Sequence, residues 1–597
     1  MKDTLKQRLS LLLTLALLLT CLPALSLTVQ AETIDFGSCG TKLIWTLDDT
    51  GTLTISGTGA IANYTTKSFA PWYSYRSSIK NVVLQPGVTR IGNYAFYNCA
   101  NLTGITIPDS LTSIGESAFA HCSRLTGITI PEGLTSIGDF AFYYCTAMEK
   151  IDFNASAMNH LSPSNCMLYQ AGQSGKGITV NIGAKVTRIP AYLFCPYNSS
   201  SSAPKLAAVN FAEGSTCVGI GTYSFAYCDS LTGITLPESV TKIGADAFRS
   251  CHGLTSIRIA EGNSVYHSAG NCVIETASKM LILGCKTSQI PQDGSVTSIG
   301  NYAFFDCDGL TSITIPDSVT GIGEHSFYEC DGLTSITIPD SVTGIGNCAF
   351  TYCDSLTSVT IGNSLTSIGI CAFYNCKSLT EINFNATAMN NLLYGSNVFA
   401  AIGLMGVTVN IGANVTRIPA CLFCTSSSTA PRLSAVNFAE GSVCTDIGAY
   451  AFDGCWSLPG ITLPDSVTSI GNYAFRGCTD LKRVMFKGKA PEAFGSDVFS
   501  EVTATAYYHP DETWTEAVMQ NYGGTITWVA SNGLPGDLDG NLEVNSDDVV
   551  QLLLHISMPD FFPIDADADY TGDGKVTSDD VVQLLLHISM PDLFPLQ

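Results

Sequence analysis

Residues 91–113 read IGNYAFYNCANLTGITIPDSLTS and residues 114–136 read IGESAFAHCSRLTGITIPEGLTS, so one 23-residue unit follows another without a break. The leading Ile returns at this spacing in several runs along the chain, each time with Gly after it. A unit this short cannot bury its own apolar face, so successive units must stack and share one continuous core. The repeated positions are Ile91, Ile114, Ile137, Ile220, Ile243, Ile299, Ile322, Ile345, Ile368, Ile447 and Ile470.

Each unit contains two short apolar segments and a turn. The first segment, Leu102 to Ile107, alternates in the manner of a strand, and Pro108 ends it because proline has no amide donor. A second segment begins at Leu111 and includes Ile114. We therefore predict a β-rich leucine-rich repeat solenoid of 23-residue units, with an interior ladder of aligned Phe residues. These are Phe96, Phe119, Phe142, Phe225, Phe248, Phe304, Phe327, Phe350, Phe373, Phe452 and Phe475.

The 23 cysteines favour free thiols over a disulfide framework. Eleven of them recur at one slot of the unit, three residues after the Phe, rather than in paired spacings. Stacked copies of one slot point their side chains in parallel, which is a poor geometry for a disulfide, and a free Cys packs as a small apolar residue. We predict a buried ladder of thiols at Cys99, Cys122, Cys145, Cys228, Cys251, Cys307, Cys330, Cys353, Cys376, Cys455 and Cys478.

Two units place a histidine beside a cysteine, which raises the question of a nucleophilic site. The pairs are His121-Cys122 and Cys251-His252, but other units carry Asn98, Tyr144 or Asp306 where His121 stands. These cysteines also occupy the common ladder slot, which favours a structural role. The sequence contains no Gly-x-Ser-x-Gly elbow with partners, no zinc-ligand helix and no phosphate loop. We therefore predict that the protein is not an enzyme.

The length, the net charge and the N-terminal segment restrict the classes of protein to which this chain can belong. A chain of 597 residues is too long for one core, and a net charge of −23 argues against nucleic acid and anionic lipid as partners. Basic residues precede the Leu-rich run from Leu9 to Leu19, and Val29-Gln30-Ala31 offers small residues for cleavage. Residues 1–31 therefore read as the signal peptide of a secreted protein. No second apolar run reaches about 18 residues, so we predict no transmembrane anchor.

A row of Thr residues lies between the inward-facing Ile or Val residues of successive units. Strand alternation should place this row outside, on one face of a sheet. Thr suits exposed strands in general, and a nearly uncharged Thr surface could also bind a polysaccharide or a protein. Arg258 and Met485 interrupt the row, whose members are Thr106, Thr129, Thr235, Thr314, Thr337, Thr360 and Thr462.

Two Asp-rich segments near the end of the chain each predict a calcium loop. Residues 537–548 read DLDGNLEVNSDD, residues 569–580 read DYTGDGKVTSDD, and each runs into the same text, VVQLLLHISMPD. Oxygen donors at loop positions 1, 3, 5, 9 and 12, with Val at position 8, are typical of EF-hand loops. The alternative is that these carboxylates bind only water at a surface turn, as isolated Asp clusters usually do. Two copies with matching helices, from Val549 to Ser557 and from Val581 to Ser589, favour two Ca2+ ions.

From roughly Cys39 to Val529 the chain resembles the BspA-like leucine-rich repeat family of bacterial surface proteins. Besides the repeats, placed at 79–486, the segment beginning CGTKLIWTL within 32–78 resembles the family's N-terminal β cap. Residues 487–530, which end in YGGTITWVA, resemble its C-terminal counterpart. Solenoids need caps because an open end would expose the core. The resemblance implies binding or adhesion, with no shared catalytic residues to carry over.

Residues 537–597 resemble a type I dockerin, the small α-helical module that attaches secreted proteins of cellulosome-forming bacteria to cohesin modules. A linker at 531–536 stands where a full EF-hand would have its first helix, and loop followed by helix, twice, is the dockerin pattern. Leu542 departs from the pattern at position 6, where Gly574 supplies the sharp turn of the second loop. The resemblance implies calcium ligands at Asp537, Asp539, Asn541, Glu543, Asn545, Asp548, Asp569, Thr571, Asp573, Lys575, Thr577 and Asp580, with Glu543 and Lys575 acting through backbone oxygens. It implies cohesin contacts at Ser546, Asp547, Leu553, Leu554, Ser578, Asp579, Leu585 and Leu586.

These features predict a secreted, non-catalytic binding or adhesion protein that a calcium-dependent dockerin attaches to a cohesin of a cellulosome-like or cell-surface scaffold. The ligand of the repeat face would be a polysaccharide or a host or surface protein. One alternative is an enzyme component of a polysaccharide-degrading complex with an unrecognised catalytic site in the repeats. Another is a structural spacer, or an adhesin toward host proteins.

Overall fold

A computed structural model describes residues 31–195, 203–425 and 430–530, together with 536, 538, 544–557, 568, 570–571, 575–589 and 596 near the C-terminus. The predicted signal peptide, apart from Ala31, and most of the predicted linker lie outside the described residues. Within the described part, the structure contains no helix of the length and apolar character needed to cross a membrane.

Short strands make up almost all of the regular structure before residue 531. The first half of the chain contains β1 Thr33–Gly40, β2 Leu43–Asp48, β3 Thr52–Gly57, β4 Gly59–Ala60, β5 Asn81–Leu84, β6 Val88–Ile91, β7 Gly104–Thr106, β8 Ser113–Ile114, β9 Gly127–Ile130, β10 Ser136–Ile137, β11 Lys150–Phe153, β12 Ile178–Ile182, β13 Arg188–Ile189, β14 Leu206–Phe211, β15 Gly219–Ile220, β16 Gly233–Leu236, β17 Lys242–Ile243 and β18 Ser256–Ile259, with a 3-10 turn at Tyr73–Tyr75. The second half contains β19 Tyr266–Ala269, β20 Cys272–Glu275, β21 Met280–Leu283, β22 Ser298–Ile299, β23 Gly321–Ile322, β24 Ser335–Ile338, β25 Gly344–Ile345, β26 Ser358–Ile361, β27 Ser367–Ile368, β28 Glu381–Phe384, β29 Val407–Ile411, β30 Arg417–Ile418, β31 Leu433–Phe438, β32 Asp446–Ile447, β33 Gly460–Leu463, β34 Ser469–Ile470, β35 Arg483–Phe486, β36 Ala493–Phe494, β37 Thr503–Tyr508 and β38 Thr525–Ala530. Two helices follow, α1 at Ser546–Ser557 and α2 at Ser578–Ser589.

Neighbouring coils pair in parallel on two faces of a solenoid, which confirms the predicted stack of units. On the long-strand face, built from the Leu-to-Ile segment of each unit, Ile336 in β24 lies opposite Val359 in β26. On the short-strand face, built from strands that end in the repeated Ile, Ile322 in β23 lies opposite Ile345 in β25. The alternating side chains of both faces point into one shared core.

The long-strand face is less regular than the repeats predict. Residues 311–316 form no strand, so Thr314 lies outside the sheet. Strand pairing also stops between β14 and β16 and between β31 and β33. Each of these two gaps follows an irregular unit that has two more residues between the strand and its next repeated Ile, Phe211 to Ile220 instead of Ile130 to Ile137. The longer loop separates the two coils on this face.

Both ends of the solenoid are covered by aromatic side chains. Strands β1, β2 and β3 pair antiparallel, and β3 then pairs in parallel with β5. The fully buried Trp72 stacks on Phe96, with 5.6 Å between ring centroids. At the other end β37 and β38 continue the parallel ladder, and Trp514 packs edge-on against Phe486 at 5.1 Å. These contacts remove the open ends of the core from water.

A ladder of buried Phe rings runs through the turns, as predicted. The centroid of Phe350 lies 5.0 Å from that of Phe327 and 5.0 Å from that of Phe373, with interplanar angles of 4° and 3°. The ladder passes without a break through the irregular unit, where Phe399 and Phe423 take the same place. Stacking of parallel rings therefore sets the distance between coils.

Gly and Cys complete the contact between coils. A Cβ on Gly346 would lie 2.5 Å from the amide nitrogen of Glu324 in the preceding coil, so a larger residue could not approach as closely. The thiol of Cys353 donates a hydrogen bond of 3.2 Å to the carbonyl oxygen of Phe327 in the preceding coil. The eleven cysteines of the predicted ladder form no disulfide, which confirms the thiol ladder. Burial raises the pKa of the Cys353 thiol well above its ordinary value, so the group stays protonated as a donor.

An antiparallel insert of β19, β20 and β21 separates two parts of the core, and a charged cluster lies beside it. His252 Nδ1 lies 2.8 Å from Asp229, while its Nε2 lies 3.2 Å from Asp306 and 3.4 Å from Asp308. Lys286 donates to the backbone oxygen of His252 at 2.9 Å. Hydrogen bonds to Asp229 and Asp306 raise the pKa of His252 to about 10. The imidazolium therefore links coils on the two sides of the insert.

Truncation of one ring in the Phe ladder tests how much the stack contributes. We expect Phe350→Ala to lower the free energy of unfolding by about 3 to 5 kcal/mol, because it opens a cavity between two stacked rings. The matched control is Phe36→Ala, since Phe36 is 74% exposed in β1. Urea unfolding followed by circular dichroism measures both. A loss for Phe350→Ala no larger than that of the control would contradict the proposed role of the ladder.

The His252 cluster predicts a pH-dependent contribution to stability. Because folding raises the pKa from 6.5 to about 10, the contribution is complete below pH 6.5 and disappears as the pH rises through about 10. We expect His252→Gln to cost about 1 kcal/mol at the acidic end of this window, a value reduced by solvent screening, and almost nothing at the alkaline end. The exposed His509 gives the control variant His509→Gln. A pH-independent difference in thermal midpoint between His252→Gln and the parent would rule the linkage out.

Candidate docking and ligand-binding surfaces

The two C-terminal helices begin with the same capping arrangement. In α1 the side-chain oxygen of Asn545 accepts a hydrogen bond from the amide of Asp547 at 2.7 Å, and Asp548 accepts one from the amide of Asn545 at 2.8 Å. In α2 Thr577 and Asp580 take the same two roles. This reciprocal capping box explains why both helices begin at Ser546 and Ser578, three residues before the predicted starts at Val549 and Val581.

Each capping carboxylate also reaches back over its loop. Asp548 and Asp580 are both 0% exposed. Their second oxygens accept hydrogen bonds from loop amides, those of Leu538 at 2.7 Å and Thr571 at 2.9 Å. Burial alone would raise the pKa of Asp580, but the amides of Thr577 and Thr571 outweigh it and hold the pKa below its ordinary value. A buried carboxylate that accepts hydrogen bonds from loop amides therefore stands at position 12 of each loop.

The donor chemistry of this part of the chain fits a hard cation. Carboxylate, hydroxyl and backbone oxygens are the ligands that Ca2+ prefers, and a buried carboxylate over a loop is the group that would complete such a shell. Six of the predicted ligands are described: Asn545, Asp548, Thr571, Lys575, Thr577 and Asp580. The other six, Asp537, Asp539, Asn541, Glu543, Asp569 and Asp573, lie outside the described residues, as does Leu542.

The two helices pack on each other through one face and leave another face open. Val549, Leu552, Val581 and Leu584 form a small core with Ala568 and Tyr570. On the outer surface Val550, Leu553, Val582 and Leu585 are 51%, 45%, 54% and 45% exposed. The predicted contacts Ser546, Asp547, Ser578 and Asp579 are exposed at the helix starts, whereas Leu554 and Leu586 are half-buried. The sequence prediction missed Val550 and Val582, although their three-residue spacing from the exposed Leu could have indicated a shared face.

The Thr row follows the long-strand face as predicted, but not all of its members are exposed. Thr106, Thr129, Thr235, Thr314 and Thr337 are exposed, whereas Thr360 and Thr462 are half-buried.

The same row of the long-strand face also contains two chains of hydrogen-bonded side-chain amides that the sequence prediction missed. Asn181 donates to Asp152 at 2.8 Å, and Asn210 donates to Asn181 at 3.2 Å. Farther along the chain Asn410 donates to Asn383 at 2.9 Å and Asn437 donates to Asn410 at 3.2 Å. The recurring Val-Asn-Ile and Val-Asn-Phe triplets were the available signal.

An aromatic patch on the turns between the two faces was also missed. Its members, half-buried on four successive coils, are Tyr94, Tyr97, His121, Phe140, Tyr143 and Tyr169. His121 lies 5.6 Å from Tyr97 and 5.1 Å from Tyr143, and Tyr143 lies 5.1 Å from Tyr169. The rings border a cavity of about 450 Å³. The sequence feature that could have indicated the patch is the variable position before Ala-Phe, which is Tyr in many units.

Three members of the patch adopt a backbone conformation that bulky residues rarely take. The φ angles of Tyr94, His121 and Phe140 are 54°, 61° and 55°. A left-handed residue with a side chain costs about 1 to 2 kcal/mol, and Asn accepts this conformation more readily. Asn98 occupies the position equivalent to His121 in the preceding coil, with a φ of 58°. The turn itself therefore does not require an aromatic residue.

The thiols of the two histidine–cysteine pairs take part in contacts between coils. The thiols of Cys122 and Cys251 donate to the carbonyl oxygens of Phe96 at 3.2 Å and Phe225 at 3.1 Å, and most of the other ladder cysteines make the equivalent bond. Burial raises the pKa of Cys251 to about 12. Hydrogen bonds to Asp229 and Asp306 raise the pKa of His252 to about 10, so the imidazolium donates to these carboxylates rather than acting as a base for the thiol. These contacts agree with the structural interpretation of the two cysteines.

Comparison with known proteins identifies the repeats. The BspA type leucine rich repeat region matches the chain in six copies, over residues 71–202, 198–274, 297–430 and 395–516. No curated protein matches the chain significantly.

Solved structures with leucine-rich repeats are similar to the chain at low identity. A leucine-rich repeat protein from Eubacterium ventriosum is 24% identical, with 74% of this chain and 94% of that chain covered and a TM-score of 0.34. A leucine rich cell surface protein from Faecalibacterium prausnitzii is 22% identical, with 77% and 96% covered and a TM-score of 0.33. The pneumococcal vaccine antigen PcpA is 15% identical, with 83% and 99% covered and a TM-score of 0.32. Because the family match extends over most of the chain, the protein belongs to the BspA type leucine-rich repeat family.

Proposed function

We propose that this chain is a secreted, non-catalytic binding protein with two working parts. Its C-terminal module binds two Ca2+ ions and docks into a cohesin at the cell surface or in a cellulosome-like complex, while the solenoid presents a surface to a ligand. The observation that carries the proposal is the exact repetition of SDDVVQLLLHIS in α1 and α2, with the same buried Asp and the same exposed apolar residues in both. A surface turn that binds no ion or partner would not require the same buried and exposed residues in two copies.

Local charge supports the calcium component. Between residues 537 and 597 the chain carries 13 Asp and Glu against one Lys, Lys575, so this tenth of the protein has a net charge of −12. Such a density of like charge opposes folding unless cations neutralise it. Asp548 and Asp580 would each contribute a carboxylate to one ion and also cap the following helix. A bound Ca2+ would supply the positive charge that keeps each loop folded against its helix.

The exposed apolar residues support the docking component. Val550 with Leu553 on α1 and Val582 with Leu585 on α2 leave two similar apolar pairs open to solvent. Apolar side chains flanked by polar Ser and Asp are typical of the centre and rim of a protein interface. Because the two helices have identical sequences, a partner could meet either helix first, in two orientations related by a half turn.

The solenoid itself supports a binding role over an enzymatic one. Most of its ladder cysteines donate hydrogen bonds to Phe carbonyls, as Cys330 and Cys376 do, and burial raises the pKa of Cys330 well above its ordinary value. The most tightly linked titratable cluster joins His252 to carboxylates as a salt bridge between coils. Repeating exposed rows such as the Thr row are suited to an extended ligand.

Removal of the position 12 carboxylates tests the calcium component. We expect the double variant Asp548→Asn and Asp580→Asn in the full chain to bind Ca2+ at least about tenfold more weakly, because each loop loses one charged ligand. Isothermal titration calorimetry gives the stoichiometry, which should be two ions for the parent. Asp109→Asn, an exposed carboxylate of the solenoid, is the matched control. Absence of Ca2+ uptake by the parent protein would refute this part of the proposal.

Charge introduced on the open helix faces tests the docking component. With two equivalent orientations, we expect Val550→Asp or Val582→Asp alone to weaken binding to a type I cohesin by only about twofold, since one mode remains. The double variant should lose binding by at least about a hundredfold, because both modes then bury a charge. Surface plasmon resonance with immobilised cohesin, in calcium and in chelator, measures each case. Binding that survives in chelator, or in the double variant, would exclude the proposed face.

A further inference from the structure

The aromatic patch is the part of the solenoid surface that the fold explains least. None of its six rings belongs to the hydrophobic core of the N-terminal part or packs against that core. Three of the rings occupy left-handed turn positions that Asn fills elsewhere. The rings therefore stand at strained positions without stabilising the interior, which suggests that they are retained for a contact outside the chain.

Some other aromatic residues on the turns lie under a guanidinium group, whereas those of this patch do not. The guanidinium of Arg249 lies 4.1 Å from the ring centroid of Phe305, and that of Arg476 lies 5.1 Å from that of Tyr473. Within the described residues no Lys or Arg covers a ring of the patch. The rings that line the cavity of about 450 Å³ therefore have no cationic cover, while Tyr144 stacks on one face of His121 with 5.3 Å between the centroids. This volume lies within the usual range for ligand sites.

The lining of the cavity is polar at its edges but carries no formal charge. The hydroxyl groups of Thr66 and Ser117 lie beside the phenol groups of the tyrosines, and no Asp, Glu, Lys or Arg contributes to the described lining. Burial lowers the pKa of His121, so its ring is neutral at neutral pH. Carboxylates nearby are engaged: Glu116 accepts from Tyr94 at 3.2 Å, and Asp139 accepts from Asn165 at 3.0 Å.

A pyranose ring matches this combination of groups. It presents C–H bonds on its two faces and hydroxyl groups around its rim, while Tyr presents an apolar ring face and one polar group at its edge. The row Tyr97, His121, Tyr143 and Tyr169 crosses four coils, one ring on each, so it follows the solenoid axis. A net charge of −23 disfavours an acidic chain in the same place.

We propose that the aromatic patch binds an uncharged polysaccharide, with successive pyranose units stacked on the rings along the solenoid axis. The inference deepens the proposed function, since it rests on the solenoid presenting a ligand surface and names the class of that ligand. It also moves the site from the Thr row of the long-strand face to the turns beside it.

Affinity gel electrophoresis of the full chain tests the site. The probes are the neutral soluble polysaccharides β-glucan, xyloglucan, galactomannan and arabinoxylan, with polygalacturonate as the acidic comparison. We expect at least one neutral polysaccharide to retard the parent protein and polygalacturonate to leave its mobility unchanged. The double variant Tyr97→Ala and Tyr143→Ala should bind at least about tenfold more weakly, because two stacking surfaces are lost.

Two further variants separate stacking from folding. Tyr143→Phe keeps the ring and should lose no more than about threefold in affinity, which corresponds to one hydroxyl. Tyr352→Ala with Tyr374→Ala removes two turn aromatics of the other part of the solenoid, whose rings lie 5.8 Å apart, and should leave binding unchanged. Near-ultraviolet circular dichroism and the thermal midpoint monitor the fold of each variant.

The proposal is overturned if none of the neutral polysaccharides retards the parent, if the double alanine variant is retarded equally, or if a protein ligand is bound through these rings instead. Cohesin binding is measured on the same samples. A double alanine variant that loses polysaccharide but keeps cohesin supports the patch. If the parent protein binds polysaccharide but not cohesin, the docking proposal is rejected and the proposal for the aromatic patch is retained.

Discussion

Stacking of each coil on its neighbour is the interaction on which the whole solenoid depends. Parallel Phe rings 5.0 Å apart fill the turn, and the thiol three residues later donates to the Phe carbonyl of the preceding coil. Gly after the repeated Ile lets the two backbones approach, because a Cβ there would meet a main-chain nitrogen. No coil satisfies these groups alone, so stability comes from interfaces between coils rather than from any single unit.

The stacking of coils also determines how side chains are arranged on the surface of the solenoid. A residue at a fixed offset in the unit becomes a line of side chains once the coils are stacked, as the Thr row, the amide chains around Asn181 and Asn410, and the aromatic patch all are. A solenoid can therefore offer an extended ligand several similar contacts at regular intervals. Regularity inside the core thus provides periodicity on the surface, and small changes at variable positions decide what each line can bind.

The C-terminal module depends on a different principle. It is too small to bury a large core, and its helices hold together through a few residues around Leu552 and Leu584. Its buried Asp548 and Asp580 tie each loop to a helix start, so capping and the proposed calcium binding use the same carboxylates. In such a module, metal binding and folding are one equilibrium. The solenoid, by contrast, is held together by contacts between its coils.

The sequence by itself determined the solenoid, its Phe and Cys ladders and the exposed Thr row, because a strict 23-residue period leaves one way to stack apolar positions. It also indicated the paired C-terminal loops from their donor spacing, although half of those ligands lie outside the described residues. Only the tertiary structure revealed the open aromatic patch and the meeting of His252 with Asp306 across 54 residues. The breaks in the long-strand face and the exposed Val550 and Val582 also required it. These features depend on which coils become neighbours and which faces stay uncovered, and a linear repeat pattern does not contain that information.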